Sequence, residues 1–259
     1  MSIFRLATLN VHSFVAQSTY LNNVSDLVSI LKPLNLDLIA LEETKNDTNW
    51  TRFCQDLSLP HLIYGDCEQY HFGVGIASRY PIISSLNQRT SVSYPGGRRS
   101  LLRCVLGGDH RFLTDRIFAV THLDYLDEDD RLHQIKEFNP PEQNIDILMG
   151  DMNALTREDY SNDYYQHRVV DVRKNAAWES PRFELTNLIK NEWNYIDAFR
   201  LINPTLKNEQ VTTCYYGTRI DYIYFRPKIN DSWMLSKCWI IDTKGATDHN
   251  AVVAEFKEK

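Results

Sequence analysis

The order of apolar runs along these 259 residues predicts an α/β protein in which two β-sheets pack face to face with helices outside. Three observations predict it. Eight short apolar or alternating runs, at 4–9, 37–41, 74–77, 101–106, 117–121, 145–149, 219–225 and 251–256, have the length of strands. Helical periodicity is clear in few places, so strands outnumber helices and a regular βαβ alternation is not expected. No run of about 18 apolar residues occurs, so no membrane-spanning helix is expected either.

Taken in order, the first run, 4–9, ends in Asn10. Tyr20, Leu21, Val24, Leu27, Val28 and Leu31 then recur at helical spacing. The run 37–41 ends in Glu42-Glu43, and 117–121 runs into His122. A second helix is expected to begin near Asp127, because the carboxylates from Asp127 to Asp130 suit a helix N-terminus. The run 145–149 meets Gly150-Asp151-Met152-Asn153. Residues 155–204, rich in Tyr, Trp and Asn, read as irregular helices and loops over one edge, a candidate substrate-shaping insert. Asp221 lies amid the apolar residues of 219–225, and Asp248-His249 precede the last run. With no internal repeat, low-complexity tract or Pro/Ser-rich linker, one domain spanning 1–259 is the simplest organisation.

Charge and cysteine usage narrow the function. A net charge of -6 argues against passive coating of a polyanion, which needs an overall basic field. It leaves room for an enzyme of phosphodiesters, because a bound divalent cation supplies local positive charge. The five cysteines (Cys54, Cys67, Cys104, Cys214, Cys238) are scattered and show neither C-x-x-C nor zinc spacing, so reduced structural thiols are expected. The start of the chain lacks a signal-peptide pattern. The N-x-S/T sites at Asn23, Asn46 and Asn49 therefore read as accidental, and the protein as intracellular, cytoplasmic or nuclear.

One polar residue at a strand end is usually a turn former or cap. Six such places, at Asn10, Glu42-Glu43, His122, Asp151 to Asn153, Asp221 and Asp248-His249, are less easily independent accidents. Carboxylate and amide oxygens without a thiolate cluster favour magnesium or manganese over zinc. Two histidines with several carboxylates suit the positioning of water and the stabilisation of a phosphoryl transition state.

In this order the motifs Asn10; Leu41-Glu42-Glu43-Thr44; Thr121-His122-Leu123; Gly150-Asp151-Met152-Asn153-Ala154; Arg219-Ile220-Asp221-Tyr222-Ile223; and Thr247-Asp248-His249 resemble those of the endonuclease/exonuclease/phosphatase superfamily. The resemblance runs from end to end and implies a four-layer α/β sandwich, like deoxyribonuclease I, with one magnesium-dependent active site. It implies Glu43 as principal metal ligand helped by Asn10, with Asp248 acting on the metal or its water. Manganese is the natural substitute. Asp151 would orient or deprotonate the attacking water, and Asn153 would hold it or a phosphate oxygen. His249, steadied by Asp221, would contact the phosphate, and His122 would face it from the opposite side.

Two positions depart from the family pattern. Glu42 stands where glutamine is usual, and the reading adopted is a structural one, hydrogen bonding nearby backbone rather than altering metal affinity. Thr247 replaces the common serine and keeps the hydroxyl. His122 stands where exonuclease III-type abasic endonucleases place tyrosine, so the chain is more similar to the histidine-containing branch. That branch holds deoxyribonuclease I, neutral sphingomyelinases, deadenylases and tyrosyl-DNA phosphodiesterases. The continuation through Asp124, Arg131 and Gln134 also resembles superfamily hydrolases of unassigned substrate.

Substrate clues are fewer. Residues 85–116 carry six arginines against two acids, and Arg98 and Arg99 follow the turn-forming Tyr94-Pro95-Gly96-Gly97. They either present guanidinium forks to phosphate or pair with acids elsewhere. Trp178, Trp193, Tyr215 and Tyr216 either stack bases or pack against the body of the fold. The expectation is a magnesium-dependent phosphodiesterase of nucleic acid or its ends, with a phosphatase or phospholipase C-like hydrolase of phosphoinositide, sphingolipid or small phosphoester as the alternative. No stable membrane insertion is expected.

Overall fold

The computed structural model describes residues 2–16, 19–68 and 72–259. Among them, twelve strands form two six-stranded sheets. The strands are β1 (Ile3–Asn10), β2 (Leu38–Thr44), β3 (His61–Asp66), β4 (Gly73–Ser78), β5 (Ile82–Arg89), β6 (Ser100–Leu106), β7 (Ile117–His122), β8 (Ile147–Asp151), β9 (Ile196–Asp197), β10 (Asp221–Phe225), β11 (Trp233–Ile241) and β12 (Ala251–Glu258). One sheet has the order β11-β12-β1-β2-β4-β3 and the other β5-β6-β7-β8-β10-β9.

Each sheet holds one parallel pair, β1 beside β2 and β7 beside β8, and all other pairings are antiparallel. A parallel pair cannot be closed by a tight turn and needs a crossover element. Here α1 (Val24–Leu31) joins the first pair and α3 (Glu128–Phe138) the second, while α2 (Thr48–Asp56) follows β2. The pairs end in register, Asn10 opposite Glu42 and His122 opposite Asp151. Both sheets therefore bring carboxyl strand ends to one rim, the place where open α/β sheets bind ligands.

Alternating side chains divide the apolar interior into layers. Phe4, Leu6, Leu38 and Ala40 of the first sheet meet Cys104, Phe118, Val120 and Met149 of the second. Ala7, Leu9, Ile39 and Leu41 point the other way, onto Leu27, Trp50 and Phe53 of α1 and α2. On the far side, Leu101, Ala119 and Leu148 pack on Ile135 and Phe138 of α3 and on Leu185 and Ile189. The result is a four-layer α/β sandwich. Burying each such Leu, Ile or Phe is worth about 1.5–3 kcal/mol, which holds the strand ends rigidly enough to place a site.

The helices start where local chemistry allows. Tyr20 has a left-handed backbone (φ 58°), and the Asn22 side chain accepts from the Val24 amide at 3.2 Å, so α1 begins at Val24 rather than at Tyr20. Asp127 caps α3 by accepting from the Asp129 amide at 2.7 Å, and Glu128, Asp129 and Asp130 fill its first turn. Residues 155–204 form short 3-10, α and π turns together with the two-residue strand β9, as the irregular sequence leads one to expect. They are tied to the body by Arg219, whose buried guanidinium binds Asp159 at 2.8 and 3.1 Å and Asp197 at 2.7 and 3.1 Å. All five cysteines are buried and unbridged. Among the described residues no helix is long and apolar enough to cross a membrane.

Candidate active site

The rim is built by small irregularities at strand ends. Between Leu41 and Thr44 the register of β2 on β4 slips by one residue, a bulge with Glu43 in the left-handed region (φ 53°). A bulge re-aims the side chains it contains. It sends Glu42 into the interior, fully buried, while the Glu43 side chain stays about one-fifth exposed at the rim. At the end of β8, Gly150 has φ 137°, and a Cβ there would stand 1.9 Å from the Thr121 carbonyl. Only glycine lets β8 approach β7 so closely, which sets Asp151 beside His122.

Across the sandwich, the Asn10 amide donates to Glu43 Oε1 at 3.0 Å and to Asp151 Oδ2 at 3.1 Å, and its own Oδ1 accepts from the His12 amide at 3.0 Å. Asp151 Oδ1 accepts from the Asn153 amide at 2.9 Å, and Asn153 Nδ2 donates to the Leu123 carbonyl at 3.1 Å. Two imidazoles face Asp151 Oδ2, His122 Nε2 at 3.6 Å and His249 Nε2 at 3.8 Å. His249 is held from behind by Asp221 at 2.9 Å. The Thr247 hydroxyl lies 3.0 Å from the Asn10 carbonyl and 3.3 Å from Asp248 Oδ1, and its one proton can go to either. Eight of the residues singled out in the sequence, Asn10, Glu43, His122, Asp151, Asn153, Asp221, Asp248 and His249, thus lie in one connected cluster.

Their environments set their protonation. Burial and the nearby Asp221 charge push Asp151 up to about 7, the range of a base working near neutrality. Burial would lower the His249 pKa, but the charge and hydrogen bond of Asp221 outweigh it and hold the imidazole protonated well above its ordinary range. His122 is the opposite case: burial, reinforced by Arg99, lowers it to about 3, so its ring is neutral. Burial alone would raise Glu43, yet bonds from His12 and Asn10 and the neighbouring histidines hold it at about 2. Two histidines within 4 Å of the same carboxylate oxygen are therefore driven to different charge states by their surroundings.

Glu43 and Asp248 fit a hard divalent cation: both carboxylates are partly exposed and converge on one imidazole, His12 Nδ1, at 3.5 and 3.8 Å. Asn10 orients Glu43 and stands beside them. Asp151, Asp221 and His249 form a tighter trio, with ligand atoms within 4.8 Å of one another. Its imidazole is already bonded to Asp221, which marks an acid–imidazole pair rather than a cation cage.

His12 was not among the residues picked from the sequence. It sits on Glu43 and Asp248 with a left-handed backbone (φ 45°), and the signal for it was its place two residues beyond Asn10 at the same strand end. Glu42 accepts from Thr8 Oγ1 at 2.7 Å, a side-chain bond rather than the backbone bond expected. Arg98 and Arg99 follow the expected turn, closed by Gly97 donating to the Tyr94 carbonyl at 2.8 Å. Arg98 reaches the Thr90 carbonyl at 3.2 Å and Glu68 at 3.7 Å, whereas Arg99 is buried 3.8 Å from Asp124. Trp193 packs on the outer apolar layer, but Trp178, Tyr215 and Tyr216 line a cavity beside His249.

A two-sheet sandwich with carboxylates, an amide and two unlike imidazoles at one rim defines a phosphoester-hydrolase type of protein. The model of the endonuclease/exonuclease/phosphatase family matches residues 7–249, and the chain belongs to that family of phosphoric ester hydrolases. Comparison with curated proteins finds no match to the sequence. Among solved structures, the chain is similar to an endonuclease/exonuclease/phosphatase from Beutenbergia cavernae, at 18% identity and TM-score 0.73 over 100% of this chain and 72% of the other. It is also similar to D. rerio TDP2 complexed with single-strand DNA product, at 14% identity and TM-score 0.67 over 99% of this chain and 100% of the other. A third is the human Nocturnin catalytic domain with bound sulfate anion, at 15% identity and TM-score 0.66 over 99% and 95%. At these identities the likeness is one of fold.

Proposed function

We propose that the protein is a magnesium-dependent phosphodiesterase of nucleic acid or nucleic-acid ends. The observation that carries this reading is the meeting, across the sandwich, of the Glu43 and Asp248 carboxylates with the Asp151, His249 and Asp221 relay. The fold's likeness to TDP2, solved with a single-strand DNA product, supports the substrate class.

In this reading Glu43 and Asp248 would hold the cation, and Asn10 fixes the Glu43 carboxylate. Magnesium, with manganese as a substitute, supplies charge that neutralises phosphate oxygens and lowers the pKa of water. The remaining steps belong to the chain's own groups. Asp151, titrating near 7, takes the proton of the attacking water, with the Asn153 amide holding its carboxylate in place. Protonated His249 donates to a phosphate oxygen as negative charge develops. His122, neutral and 3.6 Å from Asp151 Oδ2, would face the phosphate from opposite His249. The site works inside the cell, where reduced cysteines and free magnesium are the rule.

The test is cleavage of end-labelled single- and double-stranded DNA and RNA oligonucleotides, including five-prime tyrosyl-linked ends, with product length as readout. Cleavage that needs magnesium is expected, with Asp151→Asn and His249→Ala each slowing turnover by about 10²- to 10⁴-fold. Cleavage of no oligonucleotide above the Asp151→Asn blank would overturn the substrate class and favour a lipid or small phosphoester.

A further inference from the structure

Beside the reacting groups lies a cavity of about 380 Å³ whose wall includes Asn153, Asp248 and His249. Buried Val169 and Cys214 are also part of its lining. The volume falls at the low end of the range for small-molecule sites, about 300–1,000 Å³. A cavity of that size has room for a small planar group.

The lining is unusual for the surface of this protein. Large aromatic rings normally bury themselves, and among the described residues only Tyr20, Tyr125, Trp178, Tyr215 and Tyr216 are strongly exposed. Four of the five, all but Tyr20, line this cavity. Trp178 meets Tyr216 edge-on, with centroids 4.7 Å apart and planes at 87°, and Tyr216 meets Tyr215 at 5.6 Å and 80°. Such contacts hold rings upright while leaving much of their faces to solvent. Arg173 lies over Trp178 at 6.0 Å from its centroid and is itself tied to Glu179 at 3.8 Å. Arg168, on the same wall, is exposed and makes no ion pair among the described residues.

We infer that this cavity takes the base of a single nucleotide at the end of a strand, stacked on the face of one of the two upright rings, Trp178 or Tyr216, and flanked by the other, with Arg168 meeting a neighbouring phosphate. The assignment rests on the nucleic-acid reading above and sharpens it. Stacking on an aromatic face is tolerant of sequence, because every base has a π-face. The enzyme would then remove residues from an end one at a time, since an internal nucleotide would have to turn out of its stack to enter.

The assignment is tested with two oligonucleotides that differ only in the terminal residue, one bearing its base and one abasic (tetrahydrofuran). Wild type should prefer the base-bearing end by about 5- to 150-fold in kcat/KM, mainly through KM. Trp178→Ala and Tyr216→Ala should bring that ratio toward one, and Trp178→Phe should keep most of it, which separates stacking from a general loss of structure. Equal cleavage of both ends by wild type, or a ratio unchanged in the alanine variants, overturns the base cavity while the nuclease reading stands. If neither oligonucleotide is cleaved but bis(p-nitrophenyl) phosphate is hydrolysed with magnesium, the nucleic-acid reading falls and the base cavity falls with it.

Discussion

His249 Nδ1 lies 2.9 Å from Asp221 Oδ2 with both side chains buried, while Nε2 on the other edge of the ring faces Asp151 at 3.8 Å. One buried carboxylate therefore acts on two groups. It keeps His249 charged, and by like-charge repulsion it adds to the burial that raises Asp151.

Asp221→Asn removes that charge with little change of shape. The His249 pKa should fall toward its ordinary value of 6.5, and Asp151 should fall below about 7. Both limbs of the pH–rate profile then move to lower pH, and turnover drops by about 10²- to 10⁴-fold. A kcat profile with a parallel NMR titration of the imidazole checks this. Limbs that stay in place would show that Asp221 does not set either group.

Glu42 carries a second, different pH effect. Its burial, together with the Asp221 and Asp151 charges, pushes its pKa well above 4.5, and Glu42 Oε2 has no hydrogen-bond partner among the described residues. Below pH 4.5 both folded and unfolded chains carry the proton, and its stabilising effect is complete. As pH rises from there toward the folded-state pKa, the unfolded chain releases the proton first, so stability falls. Glu42→Gln, a neutral residue of the same shape, should lose this slope. Urea unfolding of the metal-free protein at pH 5 and pH 8 should favour the variant increasingly at the higher pH; parallel slopes would refute a protonated Glu42.

Arg219 is predicted to matter for stability rather than chemistry. Its guanidinium is fully buried between Asp159 and Asp197 and lies 4.4 Å over the Tyr222 ring. Arg219→Met leaves Asp197 buried without its cation and Asp159 with Arg200 alone, at 2.7 Å, a change that costs about 3 kcal/mol. Urea denaturation measures it directly, and a loss under about 1 kcal/mol would mean that the network relaxes into water.

The pattern of what could be read from the sequence has a physical cause. All eight runs picked as strands are interior strands of the two sheets, and the four strands passed over, β3, β5, β9 and β11, are the sheet edges. Interior strands are covered on both faces and read as continuous apolar runs. Edge strands are not: β5 exposes Ile83, Ser84, Ser85 and Leu86 in succession, and β11 carries a register shift between Leu235 and Lys237 that breaks its alternation. The rim cluster was legible because a buried strand running into a carboxylate, amide or imidazole stands out against its apolar neighbours. His12 was not, because it lies beyond the strand in a left-handed turn that no periodicity marks. The cavity beside His249 was legible only as a set of aromatic residues. Residues 155–204 bring Trp178 against Tyr216, a contact between positions far apart in the chain that no periodicity marks.

The most direct test of the account is the magnesium dependence of phosphodiester hydrolysis in wild type, Glu43→Gln and Asp151→Asn. If Glu43 holds the cation and Asp151 moves the proton, Glu43→Gln should raise the magnesium concentration for half-maximal rate at least tenfold. Asp151→Asn should lower the maximal rate by about 10²- to 10⁴-fold with a smaller change in that concentration. Full activity in chelator, or identical magnesium curves for wild type and Glu43→Gln, would contradict it.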